Sequence, residues 1–524
     1  MRKKLLFAAL SFAAICQTAL AGGLNTNTNQ NASFLRLLSQ GAYIDITSLY
    51  VNPAGTAFLA PGHHLSLSIQ NANQSRTIDT TFPLFALNKN VPGATHTFEG
   101  KAYAPVIPSF QYSYNTNGKW SFNAQFALMG GGGKCEFDNG LGSFEALYAG
   151  QLYQLVPTMV NQTVKQQVGA VLPGMVQGQV ASGLVAAGIP QPYADMLAAT
   201  TETSFDVNSQ LTGYGLNAYM KGKQYYFGLT VGATYKVLDN LAISAGVRGV
   251  YAMCNYNGFV QDINADYAYN VDYKYNVPAN TTLGFPGTSG DGKLGDTGSQ
   301  NLSNNELALN ADQTGFGVSP ILGIDWKIND KWNIAAKYEF KTRLRLENKS
   351  EMNATAAEQA KTNATLGQFA DGTKIAGDIP SLTTIGVQYS PIQSLKILAG
   401  YNLYGDKNAT QYGNKQDLID SNTYEINAGI EWDINKYFTI SGGWQTTQYG
   451  LSDAYMNDLS FTTSSNSFGA GFRYNATERF FVDFGYMYTA YDKREVKTPT
   501  AAGDKIDLYH RTNRVLGLSV TFKM

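Results

Sequence analysis

Between Arg479 and Tyr491 the chain reads RFFVDFGYMYTAY. Phe480, Val482, Phe484, Tyr486 and Tyr488 fall on alternate positions, with Asp483 and Gly485 between them. A period of two is the period of a β-strand, whose successive side chains point to opposite faces. KWNIAAKYEFK (Lys331 to Lys341) repeats the pattern. Trp332, Ile334, Ala336, Tyr338 and Phe340 share one face, and Asn333, Lys337, Glu339 and Lys341 share the other. The closing stretch VLGLSVTFKM alternates Leu516, Leu518, Val520, Phe522 and Met524 to the end of the sequence. Such runs predict strands with one wet face and one apolar face. A soluble sandwich would bury the apolar face on a second sheet. A membrane barrel would turn it to lipid and keep the charged face in a watery lumen.

The turns can be counted. NTNGK (Asn115 to Lys119), VLDN (Val237 to Asn240), INDK (Ile328 to Lys331), SPIQS (Ser390 to Ser394), DINK (Asp433 to Lys436) and NATE (Asn475 to Glu478) each separate two alternating runs. Long polar connections lie between these hairpins, at residues 256–312, 346–378 and 492–509. Six short turns join twelve strands, and one strand before them (His64 to Gln74) and one after (Arg511 to Met524) make fourteen. Short turns on one side and long loops on the other are the habit of outer-membrane barrels. The even count places both barrel ends on the periplasmic side. Closure is required, because lipid does not tolerate an open sheet edge.

Composition agrees with this all-β, 14-stranded antiparallel transmembrane barrel. The 524 residues include 33 Tyr, 27 Phe and 53 Gly, and only 15% are charged. Residues 1–21 read as a signal peptide: Arg2, Lys3 and Lys4, then the apolar Leu5 to Ile15, then Ala19-Leu20-Ala21 as a cleavage site. Cys16 follows Ile15 where a lipoprotein signal wants a small residue, which argues against lipidation. Loss of three basic and no acidic residues takes the formal net charge from −1 to −4, so nucleic acid is not an expected partner. After the signal no run of 18 apolar residues occurs, so spanning by helices is not expected.

Residues 22–62 do not alternate. Ala32 to Ala42 reads as a short helix ending near Gly41, followed by YIDITSLYVNPAGTAFLAP. Asn52-Pro53-Ala54-Gly55 reads as a turn, since Pro fixes φ, Asn bonds its own backbone and Gly tolerates positive φ. A barrel of fourteen strands without a plug would leak, because the lumen widens with strand number. A segment ahead of the strands that folds up inside them would close it.

Here the chain resembles the FadL family of outer-membrane transporters of long-chain fatty acids and other hydrophobic compounds. Gly41-Ala42, Asp45, Ser48 and Asn52-Pro53-Ala54 match that family's N-terminal hatch in order. LGIDWKINDKWNIAAKYEF (Leu322 to Phe340) and DIPSLTTIGVQYSP (Asp378 to Pro391) are similar as well. The resemblance spans nearly the whole mature chain, most loosely between residues 140 and 310. It implies a hatch at 22–62, a barrel at 63–524, and passive transport by a monomer in the bacterial outer membrane, among its lipids. It also implies capture of ligand at apolar outer loops and lateral release through the wall. Uptake of aromatic hydrocarbons, or a surface adhesin or receptor role, remain alternatives.

Strand 3 (Trp120 to Met129) ends in Gly130, Gly131, Gly132 and Gly133. In the family this strand kinks inward and opens the wall; the plain alternative is a flexible exit into a loop. Residues 134–222 are too long for an ordinary loop. Leu152, Leu155, Val156, Met159, Val160, Val164 and further apolar residues to Val176 recur at steps of three or four, interrupted at Pro157 and Pro173. This amphipathic helical pattern, with Val156, Met159 and Val160 as ligand-contact candidates, either lines a capture groove or packs on neighbouring loops. For a carboxylate head group the inward basic candidates are Arg248, Lys337, Lys341 and Arg343, with Glu339 ready to pair them. Arg511 and Arg514 are weaker candidates. His63, His64, His96 and His510 do not assemble with a nucleophilic Ser, so the chain is not expected to be an enzyme. No metal spacing is evident and no cofactor is expected. Cys135 and Cys254 are free thiols or a bridge.

Overall fold

The computed structural model describes residues 23–116, 118–362, 364–458 and 461–524, so the signal-peptide expectation for 1–21 lies outside the described residues. The strand segments form one closed, antiparallel sheet of eighteen. Four of them, Thr288–Asn301, Arg345–Met352, Lys374–Ala376 and Arg494–Thr500, only extend their neighbours at the loop end. The others make a ring of 14. In chain order these are β1 (Gly62–Thr81), β2 (Thr95–Asn115), β3 (Trp120–Phe137), β4 (Glu202–Leu238), β5 (Leu241–Val277), β6 (Leu307–Lys327) and β7 (Trp332–Glu339). There follow β8 (Leu382–Ile392), β9 (Leu395–Tyr404), β10 (Ile419–Asp433), β11 (Phe438–Leu451), β12 (Ser465–Asn475), β13 (Phe480–Tyr491) and β14 (Gly503–Lys523). β14 closes on β1 with His64 opposite Lys523 and Thr81 opposite Ile506. All six turns counted in the sequence join the strand pairs expected of them.

The barrel is inside out. On β7 Trp332 and Tyr338, and just past it Phe340, are each about 40% exposed, while Asn333, Lys337 and Glu339 are buried. On β14, Leu516, Leu518 and Phe522 face outward and Ser519 and Thr521 inward. Aromatic side chains crowd the short-turn end: Trp120 stands beside Tyr235, Trp332 beside Tyr389, and Phe438 beside Tyr474. This is the interfacial girdle of a membrane barrel.

Three elements differ from the sequence reading. β4 and β5 each run for 37 residues and pair along almost their whole length. About ten residues suffice to cross a bilayer, so this hairpin stands far out on the loop side. β4 therefore begins at Glu202, not near 222, and β5 reaches Val277 through what reads as loop. Second, α2 (Gly142–Ala186) passes through both Pro157 and Pro173 as one helix. Each proline deletes one internal bond, but the helix lies along β4, where Ser209 Oγ donates to the Pro157 carbonyl at 2.9 Å. By length and apolarity α2 could cross a membrane; its buried stripe instead packs on the β4–β5 hairpin. Third, β3 does not stop at Met129 but continues through the glycines to Phe137.

Candidate functional site

Residues 24–58 lie within the ring. Nearly every one is buried, and their partners come from the inward faces of strands all around the barrel. Helix α1 (Ala32–Arg36) starts at Asn31, whose side chain accepts from the Ser33 N–H. It ends at Arg36, five residues short of the expected stop near Gly41, because Leu37 has left helical geometry at φ −143° and ψ 89°. Ala32 N donates to Ser68 Oγ at 2.8 Å, and Asn29 Nδ2 donates to Gln70 Oε1 at 2.6 Å. Opposite α1 the wall offers glycines. A Cβ at Gly443, Gly469, Gly485 or Gly517 would strike Leu38, Leu35 or Ala32. Glycine on an inward face therefore marks where the segment lies against the wall.

The Asn52-Pro53-Ala54 turn opens a 3-10 helix, Pro53–Phe58. Asn52 Oδ1 accepts from Gly55 N at 3.1 Å, and Asn52 Nδ2 donates to the buried Asp325 carboxylate of β6. Asn333 of β7 donates to the same oxygen at 3.2 Å. Thr234 of β4 donates to the Pro53 carbonyl at 3.0 Å. One turn thus ties the segment to β4 and β6, with β7 joined through the same Asp325 carboxylate.

Ions fasten the opposite side. Arg36 Nη1 meets Glu431 at 2.7 Å and Arg36 Nε meets Asp483 at 2.8 Å. Arg473 bridges Asp45 and Asp483, each at 2.8 Å. Lys396 holds Glu431 at 2.6 Å, and Tyr43 OH donates to the same carboxylate. Three cations and three anions balance here. Asp45, one of the motif residues, is thus part of the lock.

The basic candidates are partly consumed. Arg248 and Lys337 both bind Glu339, and Lys337 Nζ also donates to the Tyr50 carbonyl at 2.8 Å. Its ammonium sits 3.8 Å from the centre of the Tyr50 ring. Lys341 lies higher, half-buried, donating to the Asn408 carbonyl at 2.7 Å. Arg343 does not face the lumen. Pairing breaks after Glu339, the inward positions shift to Thr342 and Leu344, and Arg343 is exposed. Val156 and Val160 are buried in the cluster that α2 forms with β4 and β5, while Met159 is half-exposed. Cys135 and Cys254 are buried and not joined in a disulfide; Gly222 and Gln224 of β4 stand between them as their strand partners.

The wall itself is interrupted at the glycines. β2 and β3 pair at Lys101–Glu136 and again from Phe110–Phe126, but not between. On its other side β3 slips register against β4 between Leu128 and Gly130 and between Gly130 and Gly133. Gly131 has φ +83° and Gly133 φ +64°, conformations that glycine adopts at no steric cost. Here the N-terminal segment takes over bonds of the strand. Asn27 N donates to the Met129 carbonyl at 2.8 Å and Asn27 Nδ2 to the Leu128 carbonyl at 2.9 Å. The freed edge of β2 carries Pro105 and Pro108, which have no N–H to leave unpaired. That signal lies in the sequence, since two prolines inside one strand mark an edge, and the reading above missed it.

A cavity of about 240 Å³ occupies the gap. Tyr103 and Val106 border it on the exposed face, and Ala72, Ile107 and Leu128 are buried on the lumen side. Phe34, Leu35 and Leu38 pack behind them. Among the described residues no cluster of His, Cys, Asp and Glu suited to a metal ion occurs.

Residues 350–522 match the family described as outer membrane protein beta-barrel domain. Among solved structures, a Pseudomonas aeruginosa FadL homologue aligns over 96% of this chain and 100% of its own at 15% identity, with a TM-score of 0.57. A TodX monoaromatic hydrocarbon channel, as its deltaS2 mutant, aligns over 94% of this chain and 98% of its own at 14% identity, with a TM-score of 0.50. No curated protein matches the sequence. The closed fourteen-stranded barrel is the fold of these solved structures, and the resemblance to the FadL family holds in that fold.

Proposed function

We propose that the protein carries hydrophobic molecules, long-chain fatty acids foremost, through its wall into the outer membrane. The interrupted β2–β3 pairing with its apolar cavity supports this reading most directly. Each CH₂ kept out of water is worth about 0.8 kcal/mol. A long alkyl chain therefore favours a sideways exit over release into the periplasm by many kcal/mol. An unpaired edge facing lipid is costly; the prolines of β2 lower that cost, and Asn71 Nδ2 of β1 donates to the Pro105 carbonyl at 3.2 Å. The segment below, tied to the wall on several sides, acts as a hatch that keeps solutes from passing while the lipid route stays open.

A second reading, aromatic hydrocarbon uptake, is favoured by the name of the TodX channel. Uptake of a radiolabelled C16 fatty acid and of toluene by cells that lack their own carriers would test both. Fatty-acid uptake restored by this protein supports the first reading. Restored toluene uptake without fatty-acid uptake supports the second, and restoration of neither overturns both.

A further inference from the structure

Arg76 of β1 and Arg511 of β14 are directly opposed across the strand pair, and both face the lumen, where both are buried. Like charges facing each other in an antiparallel pair repel. Arg76 Nε donates to Gln74 Oε1 at 3.2 Å, and the guanidinium lies 5.2 Å from the Phe461 ring. Its two terminal nitrogens, Nη1 and Nη2, are buried and have no acceptor. Arg511 Nη1 donates to Thr462 Oγ1 at 3.3 Å, and its guanidinium lies 4.4 Å from the Tyr491 ring. Arg36, Arg248 and Arg473 each answer a carboxylate of the barrel. Arg76 presents a planar fork of donors to none.

The surroundings say what such a fork could hold. One step outward along the pair are Ile78 and Tyr509, part of the apolar cluster beneath the loops. Two steps the other way are Ala72 and Val515, part of the apolar cluster over α1. Gln74, between Arg76 and Ala72, borders the wall cavity. A cationic fork between two apolar patches, next to an apolar opening, fits one ligand shape: a single alkyl chain with a small planar anion at its end. A carboxylate matches a guanidinium with two parallel hydrogen bonds.

We infer that Arg76, with Arg511 beside it, forms an anion site that takes the carboxylate of a long-chain amphiphile whose tail enters the wall cavity. This rests on the transport reading and narrows it: the site selects alkyl acids over neutral hydrocarbons and alcohols.

The test is binding of hexadecanoate and of hexadecanol to the purified full-length protein, read by tryptophan fluorescence. The unaltered protein should bind the acid about tenfold or more tightly than the alcohol, the worth of one charge-assisted bond or more. Arg76→Gln should remove that preference and leave alcohol binding unchanged, and Arg76→Lys should keep part of it. Arg76→Gln should also raise the temperature at which the barrel unfolds on heat-modified gels, since it removes an unpaired buried cation. An arginine serving structure alone would lower it. Equal binding of acid and alcohol by the unaltered protein overturns the anion site and leaves the transport reading standing. Acid preference that survives Arg76→Gln overturns the assignment to Arg76. Binding of neither compound overturns both readings.

Discussion

Gly130 is the position where the wall opening can be tested most sharply. A Cβ there would collide with the carbonyl oxygen of Asn25. That oxygen belongs to backbone, so no side-chain rotation relieves the clash. Gly130→Val should therefore drive Asn25 to Asn27 away from β3. The bonds lost would be Asn27 N to the Met129 carbonyl, Asn27 Nδ2 to the Leu128 carbonyl, and Gln30 Nε2 to the Leu128 carbonyl. At about 1 kcal/mol each they total about 3 kcal/mol, a shift of roughly two decades in the population of the strand bonded to the N-terminal segment. The pairing of β3 with β4 from Trp120 to Leu128 does not involve Gly130, so the barrel should still form. The expected result is normal heat-modifiable migration with fatty-acid uptake reduced by about tenfold or more. A folded Gly130→Val protein that transports at the native rate would refute the reasoning, because the bend would then not be held by the hatch.

Deleting Asn31 to Leu59 should leave a barrel that inserts but conducts small ions in planar bilayers; unchanged conductance would mean that this segment is not the seal. Asn52→Leu removes a donor from the buried Asp325 carboxylate and should cost about 1–3 kcal/mol, seen as a lower unfolding temperature with insertion unaffected. Changing Val156, Met159 and Val160 together to Ser should release α2 from β4 and expose residues 142–186 to protease, since Val156 and Val160 are buried in that contact; native protease resistance would argue against it. Burial pushes the Asp406 carboxyl, beyond the outer end of β9, up from 3.8 to about 6, against donors from Thr423 and Leu24. A raised carboxyl adds stability that is present at low pH and lost as pH rises through about 6. Asp406→Asn should therefore unfold at a higher temperature than the native protein at pH 8, by at most about 3 kcal/mol, and at the same temperature at pH 4.

The ring was legible because each hairpin carries its own local signals. A turn such as Asn475 to Glu478 and alternation such as Phe480 to Tyr488 decide a strand pair without help from the rest of the chain. The Asn52-Pro53-Ala54 turn was legible for the same reason. What escaped depends on partners distant in sequence. The outer halves of β4 and β5 read as polar loop, and only their mutual pairing and α2 make them strands. Pro157 and Pro173 read as helix stops, because propensity cannot see the hairpin that supports α2. Arg343 keeps the parity of Lys337 on paper, but the break after Glu339 turns it to solvent. Arg76 lies just past the strand expected from His64 to Gln74, and only the pairing of β1 with β14 sets it against Arg511.

The way the N-terminal segment is fastened bears on which part of it can move. Toward β9–β13 it is held by Arg36, Asp45 and Tyr43 in a balanced ionic cluster, and breaking one buried pair of this kind costs about 3–5 kcal/mol. Toward β4, β6 and β7 it is held through Asn52, Pro53 and the Tyr50 carbonyl. Toward the opening it touches β2 and β3 through Phe34, Leu35 and Leu38 and through three hydrogen bonds from Asn27 and Gln30. Apolar side chains can be replaced by an alkyl tail with little loss, since one apolar contact substitutes for another. Ion pairs cannot, because an alkyl chain leaves both charges buried and unanswered. The cheapest rearrangement that admits a hydrophobic ligand is therefore a local one at Asn25 to Gln30 and the glycines of β3. Under the proposed transport the ionic side would stay shut, and the ligand would leave through the wall rather than past the N-terminal segment.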